Sequence, residues 1–278
     1  MSMTATPDIG PLTWVKGEID LALNRALEAL ARDEGDSATA LKSARTHLHQ
    51  ARGALSIVGL EGVTRLAEAL EQALESAEEG RIAHGAEFAG TARQAIGAIR
   101  RYLDELLGGR PDQGLRLLSD YRAVMALLDK PDAPASDLFY PDLTLRPPRR
   151  EHELPAAAPA ETIARIKAAR MGFQRGILKW LKQDPLGIRE MRDALAVVEA
   201  TQGQASARAF WWAALAFLDA IAEQAIPADP GVRHLCTRID TQIRKLLEGS
   251  RTVAERLMRD TLYYVAVAGP AGSHAASV

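Results

Sequence analysis

Apolar side chains recur at alternating spacings of three and four residues over most of the chain, which is the pattern of amphipathic α-helices. In the first half, four such stripes follow one another, beginning near Pro11, Ser37, Val63 and Ala86. Glycines or short polar runs separate them, so the connections are brief. Four amphipathic helices joined in this way predict an antiparallel four-helix bundle, which we assign to residues 11–129.

The helical pattern stops between residues 130 and 159 and then resumes. Prolines recur throughout this stretch and forbid a continuous helix, so we expect a proline-rich linker and the domain boundary here. Five further stripes over residues 160–268 predict a second helical bundle. Residues 1–10 and 269–278 show no apolar period and are expected to be disordered. The predicted fold class is therefore all-α, in two domains.

Composition supports this fold class and excludes several kinds of function. Aromatic residues make up only 5% of the chain, while alanine and leucine abound, which favours helices over sheets. A net charge of −2 gives no electrostatic reason to expect nucleic acid as a partner. Cys236 is the single cysteine, so neither a disulfide nor a thiolate metal site is expected, and it is interpreted as a core thiol. The scattered histidines indicate no metal site, and no cofactor is predicted.

No segment of the sequence indicates a membrane or a nucleotide. The longest apolar run, residues 209–222, is too short to span a bilayer and contains Asp219. Residues 1–10 lack the basic start and apolar core of a signal peptide, so we expect a cytoplasmic protein without a membrane span. No glycine-rich phosphate loop or kinase signature is present. This chain is therefore not expected to phosphorylate itself from ATP.

Candidate chemistry is concentrated around His49, on the second predicted helix. His49 projects about 130° from the middle of the apolar stripe and hence into solvent. Arg52 and Gly53 follow by three and four residues and lie beside His49 on the helix surface. A glycine at this position costs about 1 kcal/mol relative to alanine, but it leaves a bare backbone that another protein can approach. An exposed imidazole, a nearby cation and an open surface together favour a phosphoryl-acceptor site.

This arrangement resembles the histidine phosphotransfer (Hpt) domain. That family carries His-x-x-Lys-Gly on its working helix, then a glycine ten residues after the histidine and a helix rich in leucine and alanine. Here the corresponding residues are His49, Arg52, Gly53, Gly59 and residues 66–71. The chain departs from the family at Arg52, where the family has lysine. A guanidinium keeps the positive charge, but its planar fork differs from a compact ammonium group.

Two further stretches narrow the resemblance. Residues 14–19 together with residues 48–53 resemble the N-terminal region of the ChpA/PilL kinases, which are CheA-like hybrid histidine kinases of the chemotaxis-type system controlling type IV pili and twitching motility. Residues 173–175 and 262–266 are similar to the second domain that these kinases share with the FimL scaffold proteins. The resemblance covers residues 12–267. It leaves open whether this chain is full-length or a piece of a larger kinase.

The resemblance implies two alternative functions. In one, His49 accepts phosphate, Arg52 pairs with the phosphoryl oxygens and Gly53 provides steric access; the partners are response-regulator receiver domains and a kinase catalytic domain. In the other, the first domain is a degenerate Hpt bundle within a scaffold that docks signalling partners without carrying phosphate. Arginine at position 52 is compatible with both. At most, the chain is a phosphotransfer intermediate or part of a larger histidine kinase.

Other polar and aromatic residues receive simpler interpretations. Aligning Gly203 with Gly53 places Glu199 at the histidine position, which leaves a divergent internal repeat open. Trp211 and Trp212 point about 100° apart on a helix, so at most one is expected to face the core. The glutamates of the third helix are expected to form its solvated face; they are Glu68, Glu71, Glu75, Glu78 and Glu79.

Overall fold

The computed structural model describes residues 10–31, 37–144, 146–149 and 158–269. These residues form helices and connecting loops, with no β-strand among them, which confirms the all-α prediction. The chain divides into two compact units, the first ending at Tyr140 and the second beginning at Pro141. The termini predicted to be disordered lie outside the described residues, except that Gly10 is already helical and Gly269 follows the last helix. None of the described helices is both long enough and apolar enough to cross a bilayer.

The first unit is a four-helix bundle with a short additional helix. Its elements are α1 (Gly10–Ala31), α2 (Ser37–Val58), α3 (Glu61–Glu78), α4 (Ala86–Leu107) and α5 (Leu118–Leu127). Each of α1 to α4 contacts the next, and α1 also contacts α4, so the four helices enclose a single core. α5 packs against α3 and α4. The apolar stripes predicted from the sequence supply this core, and every prominent leucine of α2 is buried in it.

The observed boundary between the two units lies later in the chain than the start of the predicted linker at residue 130. Residues 130–140 belong to the first unit, and the 3-10 helix Ala135–Leu138 within them is buried. Asp137 accepts a hydrogen bond from the hydroxyl of Tyr121 at 2.7 Å, which ties this segment to α5. Proline prevents an α-helix but does not prevent packing, so the distribution of prolines overestimates the length of the linker. Residues 145 and 150–157, which also fall in the predicted linker, lie outside the described residues.

Two glycines bring backbones into contact at the start of α3. A Cβ on Gly62 would lie 2.7 Å from the Cα of Gly114, and a Cβ on Gly114 would lie 2.6 Å from the carbonyl oxygen of Leu138. Both distances are far below van der Waals contact. Glycine is therefore required for the 3-10 helices at residues 114–117 and 135–138 to rest against α3.

The second unit contains the remaining described helices. They are α6 (Pro159–Leu181), α7 (Leu186–Ala200), α8 (Ala205–Ala222), α9 (Pro230–Leu247) and α10 (Glu255–Ala268). α6 and α7 pair extensively, and α7 and α10 both pack on α8. This unit has its own apolar core, which shares no residue with that of the first.

α8 lies at the centre of the second unit and is buried around its whole circumference. Every residue from Arg208 to Ile221 is buried. Trp211 and Trp212 are therefore both buried, and the expectation that only one could be was wrong. That expectation assumed a helix with one solvent face, which an enclosed helix does not have. Trp14, in contrast, is 85% exposed on α1 of the first unit.

The structure does not support an internal repeat centred on Gly203. Gly53 lies within α2, whereas Gly203 lies in the loop between α7 and α8. Glu199 sits in the last turn of α7 and accepts a hydrogen bond from Nε of Arg208 at 2.5 Å. The alignment of these two glycines therefore compares a helix with a loop.

Candidate functional site

His49 lies on α2 of the first unit with 62% of its side chain exposed. It lies on the exposed surface of α2, as the apolar stripe predicts, and is close enough to α3 to contact Glu71. Gly53, one turn further on, is also exposed, and a Cβ added to it would meet no atom within 4 Å. The packing of the described residues therefore does not require glycine at position 53. The open backbone beside the imidazole leaves room for another molecule.

The imidazole of His49 is held by a carboxylate from the neighbouring helix. Nδ1 of His49 lies 2.8 Å from Oε1 of Glu71 on α3. An ionised carboxylate can only accept, so Nδ1 carries the proton and donates a hydrogen bond to Glu71. In the neutral ring, the lone pair then belongs to Nε2, which has no hydrogen-bond partner among the described residues. The exposed histidine thus presents an available nitrogen nucleophile.

Arg52 is held by the same carboxylate. Its Nε lies 2.7 Å from Oε2 of Glu71, although the N–H does not point along the line to the oxygen, so the contact is an ion pair rather than a hydrogen bond. Nη2 of Arg52 also lies 3.2 Å from Nδ1 of His49. With the proton of Nδ1 directed to Glu71, both of these nitrogens are donors, and the 3.2 Å contact is only a close approach. Glu71 therefore positions both side chains.

The carboxylates of α3 are more engaged than the sequence suggests. Glu71 is only 18% exposed, and Arg45 of α2 pairs with Glu78 at 2.9 Å and with Glu75 at 3.2 Å. Acidic side chains of α3 therefore meet basic side chains of α2 along the groove between these helices. The interpretation as a purely solvated face was wrong for these glutamates, because the register of α2 against α3 places cations opposite them.

The sequence prediction missed the role of Glu71. This residue was recognised only as part of the leucine- and alanine-rich helix, since it is 22 positions away from His49 along the chain. The signal available was a glutamate on the helix that follows, at a position that an antiparallel hairpin brings opposite the histidine. His47, two residues before His49, is half-buried, and its Nδ1 lies 3.4 Å from Oε1 of Gln50.

Possible metal ligands and the single cysteine are the further candidates for a reactive site. Within the described ranges, no three histidine, cysteine, aspartate or glutamate side chains are grouped so that they could hold a metal ion. Cys236 is fully buried in the second unit, as predicted, and burial raises the pKa of its thiol to about 12. It is therefore not an activated thiolate.

Comparisons with known proteins give one family match in the first unit and one that begins in the second unit. Residues 12–109 match the Hpt domain family, and residues 158–278 match the second domain of the FimL scaffold protein. Over 281 aligned residues, the chain is 26% identical to the scaffold protein FimL of Pseudomonas aeruginosa. The alignment covers 96% of this chain but only 48% of that protein, so the chain spans about half its length. No solved structure matches. The chain thus matches an Hpt domain in its first unit and a second domain of the FimL type in its second unit.

Proposed function

We propose that this chain is a phosphotransfer module of a bacterial chemotaxis-type two-component system that controls type IV pili and twitching motility, with His49 as the phosphoacceptor. The observation that carries the proposal is the hydrogen bond from Nδ1 of His49 to Glu71, which leaves the lone pair on Nε2 in the neutral form of a largely exposed ring. The match of this unit to the Hpt family supports it. The similarity to FimL supports the assignment to a type IV pilus signalling system. A two-component system of this kind would place the chain in the cytoplasm.

The proposed reaction is a direct transfer of a phosphoryl group between protein side chains. The lone pair of Nε2 of His49 attacks the phosphorus of a receiver's aspartyl phosphate, and a nitrogen–phosphorus bond forms as the bond to the aspartate oxygen breaks. The aspartate leaves as a carboxylate. The proton stays on Nδ1 and remains hydrogen-bonded to Glu71, whose negative charge offsets the positive charge that the ring acquires. Terminal nitrogens of Arg52 pair with the phosphoryl oxygens.

The partners that fit this site are receiver domains and a kinase catalytic domain of the same signalling system. Either must bring a phosphoryl group close to Nε2 of His49, so its surface has to approach α2 closely. Gly53 supports such an approach, since no described residue lies within 4 Å of the position of an added Cβ and glycine has no side chain. Glu71 already holds His49 and Arg52, the side chains that would contact the phosphoryl group, which reduces the entropic cost of ordering them on binding.

A scaffold without phosphotransfer is the alternative function. Two observations favour it: the family's lysine is replaced by Arg52, and the relative that matches nearly the whole chain is named a scaffold protein. In that case the first unit docks receiver domains through the same face of α2. His49 would then contribute to binding but not to chemistry.

A phosphotransfer assay separates the two functions. The chain is mixed with phosphorylated receiver domains from the same cell, alongside the variants His49→Gln and Arg52→Lys. Phosphotransfer predicts acid-labile label on the wild type, none on His49→Gln, and label on Arg52→Lys, because lysine preserves the charge. Binding without label on any of the three would reject His49 as a phosphoacceptor and support the scaffold.

A further inference from the structure

A cleft of about 840 Å³ opens at one end of the second unit, within the size range of ligand-binding sites. It lies where α6 and α8 end and where α7 and α9 begin, and all of its lining residues belong to this unit. We call it the end cleft. It is a separate feature from the His49 site, and its role is independent of the function proposed for that site.

Basic side chains outnumber acidic ones in the lining of the end cleft. Arg192 donates from Nε to Oδ1 of Asp219 at 2.6 Å, and Asp184 accepts the backbone N–H of Leu186 at 2.9 Å. Both acidic side chains of the lining are therefore already engaged. Arg189 and Arg233 also line the cleft and are exposed.

The charges of Arg189 and Arg233 are not neutralised locally. Within the described part of the chain, no acidic side chain lies within ion-pair distance of either guanidinium. Guanidinium groups bind carboxylates through paired N–H donors, and such bonds are stronger than those between neutral groups. The end cleft therefore favours an anionic occupant.

Apolar side chains form another part of the lining, beside Gln183 and Gln224, and the apolar surface continues outside the cleft. Ile188, Ile221 and Ile226 line it together with the ring of Trp180. At its edge, Leu181 is more than half exposed, as are Leu178 and Leu186, which neighbour it along the chain. Large exposed apolar side chains grouped around a charged cleft are typical of protein interaction sites. A small ligand inside the cleft would leave these leucines uncovered, whereas a peptide that enters the cleft would also cover them.

We propose that the end cleft docks an acidic peptide segment of a partner protein. In this arrangement, carboxylates of the peptide bind Arg189 and Arg233, and an aliphatic or aromatic side chain occupies the apolar lining near Trp180. Arg192 stays paired with Asp219 and keeps that part of the wall in place. The second unit thereby acts as a docking module that selects its partner by charge and by one apolar anchor.

The test uses the intact chain and a phage library of random dodecapeptides. We expect enrichment of peptides that combine aspartate or glutamate with a large apolar residue. A synthetic copy of the most enriched peptide should bind at least about tenfold more weakly to the double variant Arg189→Gln/Arg233→Gln, and its affinity should fall with added salt. Circular dichroism spectra of both proteins verify that the variant is folded.

The matched control is the double variant Arg165→Gln/Arg244→Gln. These arginines belong to α6 and α9 of the same unit, are exposed, and do not line the end cleft. The control should bind the peptide like the wild type. The proposal is overturned if no peptide is enriched, if enriched peptides lack acidic residues, or if both double variants lose binding equally. It is also overturned if inorganic pyrophosphate, but no peptide, binds in a manner that depends on Arg189 and Arg233.

Discussion

At the scale of single residues, the candidate site depends on Glu71. Its two carboxylate oxygens contact His49 and Arg52, which both come from a different helix. The histidine and the cation attract attention in the sequence because of their spacing. The residue that orients them has no spacing signal, because its contact is set by how α2 and α3 align. The residue types of the candidate site were therefore easier to find in the sequence than the contact that orients them.

Replacing Glu71 tests whether orientation of the imidazole matters. In Glu71→Ala, the proton of His49 distributes between both ring nitrogens, so we expect phosphotransfer to slow by about tenfold or more. Glu71→Gln should fall between the wild type and Glu71→Ala, because the amide oxygen still accepts a hydrogen bond but carries no charge. Rates are measured as label transferred from a phosphorylated receiver. Glu75→Gln is the control, since Glu75 pairs with Arg45 and not with His49; a slower rate in this control would point to a general effect of charge.

At the scale of helices, the sequence predicted most elements well. The stripes of α2, α3 and α4 start within two residues of the observed helices, because amphipathic periodicity reflects which face is buried. At α8 the helix was predicted, but the burial of both tryptophans was not, because a helix enclosed on all sides has no polar face to define its orientation. The prediction failed at residues 130–140, where packing depends on glycines in other elements. Local patterns describe how a helix meets solvent, but not which elements surround it.

Gly53 and Gly62 should respond oppositely to alanine. Gly53→Ala adds a methyl group to open space within α2, so we expect it to stabilise the first unit by about 0.5–1 kcal/mol. Gly62→Ala places a Cβ 2.7 Å from the Cα of Gly114, so the backbones must separate, at a cost of about 1–3 kcal/mol. Urea unfolding monitored by circular dichroism measures both. If Gly53→Ala also slows phosphotransfer, the bare backbone serves partner access; an unchanged rate would remove that role.

At the scale of the whole chain, the two units have separate apolar cores, so a lesion in one need not reach the other. The second unit contains a close approach of α6 and α7, where a Cβ on Gly187 would lie 2.6 Å from the carbonyl oxygen of Gly176. Gly187→Ala is therefore expected to destabilise the second unit by about 1–3 kcal/mol. The first unit, with His49, should keep its stability.

Alkylation of Cys236 provides a chemical test of whether the second unit unfolds independently of the first. Its thiol is buried and its pKa is raised to about 12, so little thiolate is present at mildly alkaline pH and alkylation of the folded protein should be slow. Opening of the second unit exposes the thiol. We therefore expect iodoacetamide to modify Cys236 faster in Gly187→Ala than in the wild type, with Gly62→Ala unchanged. Equal acceleration in both variants would show that the two units unfold together.

The placement of the tryptophans makes fluorescence sensitive to unfolding of the second unit and nearly insensitive to unfolding of the first. Trp14 is in water in the folded state, whereas Trp211 and Trp212 are in an apolar interior. Indole emission moves to longer wavelength when the ring enters water, so the emission spectrum of the intact chain should follow the second unit and change little when the first unit unfolds. In Gly187→Ala, the emission shift should therefore occur at a lower denaturant concentration than in the wild type. In Gly62→Ala, part of the helical circular dichroism signal should be lost at a lower denaturant concentration, but the emission shift should not move. A matching shift in Gly62→Ala would contradict this assignment.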